Sequence, residues 1–482
     1  MYDKQFRFNE DGEFKILLFG DPHENDDVSS EKGKAKRADT LKFHETALDA
    51  LKPDLAVYMG DICAASRDDI GMESFKRQFE RLIAPVVERK IPFATIMGNH
   101  DHDSGLEEEQ TEIFVNTEYC VTRRCDEDIT GYSNYYIPIL GKSGKPEFNL
   151  WFMDSNNIFY DKEISYYDVV HKDQIDWYER NAAKLRKENK GAPLPALLFE
   201  HIPVVEEYEL LRKAKPWEMW KAVRGYGHLN KNWYVLKDED NGYLAEGPCP
   251  ADVNSGQFES WKKMGDIKGA FFGHDHMNNL AGEVDGILLA QCKTSGFRAY
   301  TDGGRPSVRL ITVHEDGSFE TSVHSFKDFG LKCTCLGPIE SRITDRQSVN
   351  ATIASRALLA GAATAAVMLG AGKIYQVLKN RRKKMVTHIV FWALKDEAEG
   401  HSKRENAEHI KEMLEALVGV VPGLIEAKVG INENGGKYDA ALFSKFESWD
   451  ALHAYDSHPE HLKVRAFVKA VRLERESVDF ES

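Results

Sequence analysis

Five short segments put metal-binding side chains where a buried strand should end. They are Asp21-Pro22-His23, Gly60-Asp61, Gly98-Asn99-His100-Asp101, Glu200-His201 and Gly273-His274-Asp275-His276. The first four follow the apolar runs 15–19, 55–59, 93–97 and 196–199, and the fifth follows 270–272. Short apolar runs that stop at a turn read as buried strands. Ligands at their C-terminal ends converge on one edge of a sheet. The set is rich in imidazole and carboxylate and has no paired thiolates, which suits manganese, iron or zinc. An aspartate such as Asp61 can bridge two ions, so the pattern points to a two-metal hydrolase.

The elements around these segments alternate. Residues 37–50, 74–89 and 171–188 have helical apolar spacing. Later runs, 286–291, 307–313 and 318–325, lie close together between glycine-containing turns and read as strands. Residues 102–149 and 203–250 carry many Gly, Pro and polar breaks. They are expected to be loops around the mouth of the site, where substrate selection is usual.

The order D-x-H, G-D, G-N-H-D, a lone H, then G-H-D-H resembles that of the calcineurin-like metallophosphoesterases, over roughly residues 12 to 330. The branch related to the purple acid phosphatases of plants and fungi is the nearest likeness. It is carried by Val253-Asn254-Ser255-Gly256, Gly273-His274-Asp275-His276-Met277-Asn278-Asn279, Gly282-Glu283 and His201-Ile202-Pro203. The resemblance implies an α/β fold, a four-layer α/β/β/α sandwich. Carried over residue by residue, it implies that Asp21, His23 and His276 hold one transition-metal ion. Asn99, His201 and His274 hold a second, and Asp61 bridges them. It further implies hydrolysis of phosphate esters by a hydroxide held between the ions. His100 is then the catalytic donor to the leaving group. Phosphodiesterase and nucleotide pyrophosphatase chemistry remain alternatives, because the same metal core serves them.

This chain departs from the family at one position. Members that look like true purple enzymes carry a tyrosine three residues after the bridging aspartate, and protein phosphatases carry an aspartate there. Here that residue is Ala64. The iron–tyrosinate chromophore is therefore not expected, and what orients His100, Asp101 or another group, stays open.

Each motif alone has a plainer reading. Asp-x-His is usually a capped turn, and Gly-Asn-His-Asp a loop. Five in order favour the metal site. His44, His171, His228, His314 and His324 read as surface or packing residues, and His102 and Asp103 as neighbours of the site.

The chain has 482 residues, enough for two or three domains, with 42% hydrophobic and 29% charged residues. Its formal net charge of −15 argues against an extended nucleic-acid footprint. Seven cysteines form no regular framework, and residues 1–6 have no signal-peptide pattern, so a reducing cytoplasm is expected. Cys333-Thr334-Cys335 reads as an ordinary reduced pair, and Cys63 as a point of oxidation if exposed.

The domain pattern stops near Lys332. Residues 333–384 read as a linker containing an Ala/Gly-rich apolar stretch, 351–378, and the basic cluster 380–384. That stretch is a candidate for membrane association, although Arg356 interrupts it. A fresh pattern starts at Met385: a strand at 388–392, a helix at 406–417, a strand at 438–446, helices at 449–457 and 461–471, and a strand at 474–480. The order is ferredoxin-like. Residues 385–482 resemble the stress-responsive dimeric α/β-barrel domains, through His388-Ile389-Val390, Tyr438-Asp439-Ala440 and His458-Pro459-Glu460-His461-Leu462-Lys463-Val464. That resemblance implies a homodimer. Some members cyclise polyketides with a Tyr and a His, which match Tyr455 and His461 here, but a dimerisation or small-ligand module is the favoured reading. The organisation expected is thus 1–332, 333–384 and 385–482. A reading of another class makes the chain a binding or assembly protein organised by its C-terminal domain.

Overall fold

A computed structural model describes residues 5–63, 71–338, 340–342 and 385–481. Ala64 and the stretch 351–378 lie outside the described residues. The chain divides into two compact units, Met1–Ala360 and Gly361–Ser482.

Two sheets form the centre of the first unit. One has five strands, ordered Phe319–Ser325, Ser307–His314, Glu13–Phe19, Leu55–Tyr58 and Phe93–Thr95. The other has seven, and its middle strands are Pro146–Phe152, Ala196–Glu200 and Ile267–Phe272. Three cores separate four layers. Between the sheets lie Ile16, Leu18, Val57, Leu150, Leu197 and Phe271. Behind the five-stranded sheet, Leu17, Phe19 and Tyr58 pack on Phe43 and Ala47 of the helix Glu31–Leu51 and on Phe75 and Phe79 of Met72–Glu88. Behind the seven-stranded sheet, Trp151, Leu198 and Ala270 pack on Trp177 and Tyr178 of Lys172–Glu188 and on Phe258 and Trp261 of Gln257–Met264. Central strands buried on both faces need continuous apolar runs, which these have. Each such side chain contributes about 1.5–3 kcal/mol by leaving water. This is the α/β/β/α sandwich that the motifs implied.

Strand direction positions the site. Glu13–Phe19, Leu55–Tyr58 and Phe93–Thr95 run parallel, as do Ala196–Glu200 and Ile267–Phe272. Their C-terminal ends carry the five motifs.

Two loop expectations are corrected. Residues 102–149 contain the helix Glu107–Asn116, the strand Tyr135–Leu140 and the start of Pro146–Phe152. Residues 203–250 contain a small antiparallel sheet of Leu211–Lys213, Trp233–Leu236 and Val223–Arg224. Proline masked one strand: Pro138 sits inside Tyr135–Leu140, and Pro146 opens Pro146–Phe152. Cys63 is buried, so the oxidation expected of an exposed thiol does not apply.

The second unit is a four-stranded antiparallel sheet, ordered Leu424–Ile431, Ala440–Phe446, Val386–Leu394 and Arg472–Glu481. The helices Lys403–Glu415, Trp449–Ser457 and Pro459–Val471 supply Ile410, Leu414, Leu452, Val464 and Val468 to its core. The strand Leu424–Ile431 was missed in the sequence, where Glu426, Lys428 and Gly430 break the apolar pattern. It completes the β-α-β-β-α-β order of a ferredoxin-like fold. Among the described residues, no helix is long and apolar enough to cross a membrane.

Candidate metal centre

All the candidate metal ligands meet at the strand ends. Asp21, His23, Asp61 and His276 form one group and Asp61, His201 and His274 a second, with the ligand atoms of each group within 4.8 Å of one another. Asp61 belongs to both. Its Oδ2 lies 3.4 Å from His23 Nε2 and 3.3 Å from His201 Nε2. Asn99 Oδ1 is 3.2 Å from the same His201 nitrogen.

The backbone is bent to achieve this. Asp21, His23, Asp61 and His274 all have positive φ, between 41° and 72°. Left-handed backbone costs non-glycine residues energy and clusters at functional sites. Two glycines allow the loops to close. A Cβ on Gly98 would lie 2.3 Å from the backbone nitrogen of Asp61, and one on Gly60 would lie 2.4 Å from His201 Nδ1.

The donor set fits cations. His201 Nδ1 donates to the Met59 carbonyl oxygen at 2.7 Å, and His276 Nδ1 to that of Tyr300 at 3.3 Å. These bonds turn each Nε2 toward the cluster. Burial opposes charge on His201, but Asp61 and Asp21 raise it to about 10, the pull that these buried acids exert on a cation. His23 Nε2 and His276 Nε2 stand 3.1 Å apart. His274 Nε2 is buried with no hydrogen-bond partner among the described residues. Burial pushes His23 down to about 4 and His274 to about 3, so both rings are neutral and able to ligate. Burial opposes ionisation of Asp61, but the adjacent His201 holds its carboxyl well below the usual range.

His100 stands beside this cluster. Its backbone N–H donates to Asp61 Oδ1 at 2.8 Å, and its ring is 5.4 Å from that of His23. The side chain is 46% exposed, open to a substrate. Its orienting partner is Asp103, whose Oδ2 accepts from Nδ1 at 2.8 Å. Asp101 instead accepts from the backbone N–H of Gly98 and Ile62 and ties two ligand loops together. His102 is held between Asp154, at 2.9 Å, and Glu107. His44 packs on Phe19, 4.4 Å between rings, as a core residue.

Tyr167 and Tyr300 were not anticipated. The Tyr167 ring meets His274 edge-on at 4.4 Å, and Tyr300 stacks on His276 at 4.1 Å. No spacing in the chain announces these contacts. Asp39 was missed too: it accepts from the backbone N–H of Thr334 and Cys335, beside two Sγ atoms 3.6 Å apart. In the second unit, Tyr455 and His461 are stacked, with ring centroids 3.8 Å apart.

Residues 14–278 match the model of the calcineurin-like phosphoesterase family, and residues 386–482 that of the stress responsive A/B barrel domain. The chain belongs to the calcineurin-like phosphoesterase family and carries a C-terminal domain of the second kind. Among its relatives, "Probable inactive purple acid phosphatase 14" of Arabidopsis thaliana is 29% identical over 331 residues, 62% of this chain and 75% of that protein. "Phosphatase DCR2" of Saccharomyces cerevisiae (strain ATCC 204508 / S288c) is 26% identical over 66% of this chain and 54% of its own length. A dimeric protein of unknown function and ferredoxin-like fold from Bacteroides fragilis NCTC 9343 is similar at 32% identity. That match covers 20% of this chain and 96% of the other, with a TM-score of 0.19.

Proposed function

We propose that residues 1–332 form a dinuclear metal-dependent phosphoesterase that hydrolyses phosphate esters. Asp61 carries the reading, because one carboxylate oxygen lies 3.4 Å from His23 and 3.3 Å from His201. In this reading Asp21, His23 and His276 hold one ion, Asn99, His201 and His274 the other, and Asp61 both. Bound there, the ions supply Lewis-acid activation of a phosphoryl oxygen and of water near neutral pH. The chain's own residues do the rest. Met59 and Tyr300 fix two ligating imidazoles through their carbonyls. Asp103 fixes His100, whose Nε2 holds the proton that passes to the leaving oxygen.

Residues 333–336 pack on the first domain, with Cys335 in its core; the stretch from there to 384 acts as a linker, and 385–482 as a dimerising module. The Arabidopsis relatives, named as probable inactive purple acid phosphatases, favour a second reading, in which the chain binds or assembles without catalysis. The complete donor set favours catalysis. The test is a screen of phosphomonoesters, diesters and nucleotides with Mn, Zn or Fe added. Turnover that is lost in Asp61→Asn supports the proposal. Metal binding without turnover of any ester would leave the binding reading standing alone.

A further inference from the structure

The C-terminal unit encloses a cavity of about 230 Å³ between its sheet and its helices. Its walls are apolar side chains such as Val390, Leu414 and Val468, all buried. Its rim is cationic: Arg465, Arg472 and Arg475 all line it. The single acid among the lining residues is Asp456.

Arg472 and Arg475 are brought together by an irregularity in the edge strand, and Arg465 comes from the helix Pro459–Val471. Leu394 pairs with Arg472 and Ala393 with Glu474, so Leu473 is an extra residue. Residues three apart on a regular strand face opposite ways. The bulge puts Arg472 and Arg475 on one face, opposite Leu394 and Trp392. Among the described residues none of the three arginines makes an ion pair or side-chain hydrogen bond. Burial, together with Arg472 and Arg465, holds the Arg475 guanidinium below its ordinary range, against the pull of Asp456. Guanidinium groups that repel one another around an apolar hollow are stable neighbours when an anion sits among them.

Trp392 gives an independent sign. It is 4% exposed, lines the cavity, and its Nε1–H is buried without a hydrogen-bond partner among the described residues. Buried donors are rarely left unpaired, and an indole N–H can only donate. Tyr455, 2% exposed and stacked on His461, gives the hollow an aromatic wall.

We propose that this cavity binds a small organic anion, a carboxylate or phosphate on an apolar body. Arg472 and Arg475 hold the acid group, Trp392 donates to a further oxygen, and the body packs on Val390 and Tyr455. The volume is below the roughly 300–1,000 Å³ of drug-sized sites, which sets a small ligand. This proposal does not depend on phosphoesterase activity in the first domain.

The test is isothermal titration calorimetry on the full chain with three probes of one body: para-butylbenzoate, para-butylphenylphosphonate and para-butylbenzyl alcohol. At least one acid is expected to bind about tenfold or more tightly than the alcohol, and the better acid identifies the head group. Arg472→Gln and Arg475→Gln should each weaken that acid about tenfold, the worth of one charge-assisted contact. Their thermal melts, matched to the parent chain, show that the fold is kept. Trp392→Phe should weaken it less. Equal binding of acid and alcohol, acid binding that survives both arginine substitutions, or no acid binding at millimolar concentration would overturn the proposal.

Discussion

Asp103 Oδ2 accepts a hydrogen bond from His100 Nδ1 at 2.8 Å. The two residues are three apart: His100 lies in the short helical turn Asn99–His102, and Asp103 caps its C-terminal end. Position 64, where some relatives carry a carboxylate, is alanine in this chain. On the proposed function, Asp103 takes the orienting role that the family resemblance gives to that position. Asp103→Asn is expected to lower kcat about tenfold while leaving metal content unchanged. His100→Asn should lower it by about 10²–10⁴-fold, the usual worth of a general acid. The double variant should be no slower than His100→Asn alone, because Asp103 acts through the ring. Rates on an aryl and an alkyl phosphate, with elemental analysis, check this. Equal losses on both substrates would remove His100 as proton donor.

Asp61→Asn should reduce the occupancy of both metal positions, because the same carboxylate oxygen faces His23 and His201. His274→Ala should reduce chiefly one, since His274 belongs to only one of the two groups. Elemental analysis after reconstitution is the measurement. Two equivalents retained in Asp61→Asn would show that the aspartate does not bridge.

The cluster of candidate ligands was legible because its residues follow the ends of buried apolar strands, and parallel strands deliver their C-terminal ends to one edge. The supporting residues were not legible. Tyr300 reaches His276 from another loop, and Met59 fixes His201 through a backbone carbonyl that any residue has. Asp103 could be placed beside the site from the sequence, but not as the partner of His100 Nδ1. Contacts set by tertiary packing leave no spacing in the chain. The same holds for the strands at 135–140 and 424–431, where prolines or alternating charges hid elements that pairing with neighbours stabilises.

His102 joins the turn carrying His100 to the seven-stranded sheet through Asp154. Burial opposes its charge, but Asp154 and Glu107 win and raise it to about 10; Tyr132 is the other ring against it. The folded-state value exceeds the ordinary 6.5, so the stabilisation is fully present below about pH 6.5 and is lost as pH rises through about 10. His102→Gln should cost about 3 kcal/mol at neutral pH, the lower range for breaking a buried pair. Its deficit against the parent should shrink between pH 6.5 and 10. Denaturant melts across that range decide it. A deficit independent of pH would mean that His102 acts by packing alone.

The last expectation concerns assembly of residues 385–482. One face of the sheet is covered by its helices. The other carries Ile389, paired with Phe443 and Val478, and Phe391, paired with Ala441. Val478 is 49% exposed, and Phe480 and Ile425 are 44% exposed. This face is apolar at its centre and bordered by Lys428, paired with Phe443, and Glu476, paired with Phe391; an apolar centre with a charged rim is what an isologous homodimer buries. The segment expressed alone should therefore be a dimer, and Ile389→Asp with Val478→Lys should convert it to a monomer. Acidic and basic groups together avoid a change of net charge, so loss of the dimer would report loss of the apolar contact. Deleting 385–482 should leave phosphoesterase activity on small esters intact, because every ligand proposed for the two ions, from Asp21 to His276, lies in the first unit. Multi-angle light scattering on the segment, its double variant and the truncated chain separates the cases. A monomeric parent segment at micromolar concentration would end the dimer assignment, and lost metal in the truncated chain would tie the two domains into one functional unit.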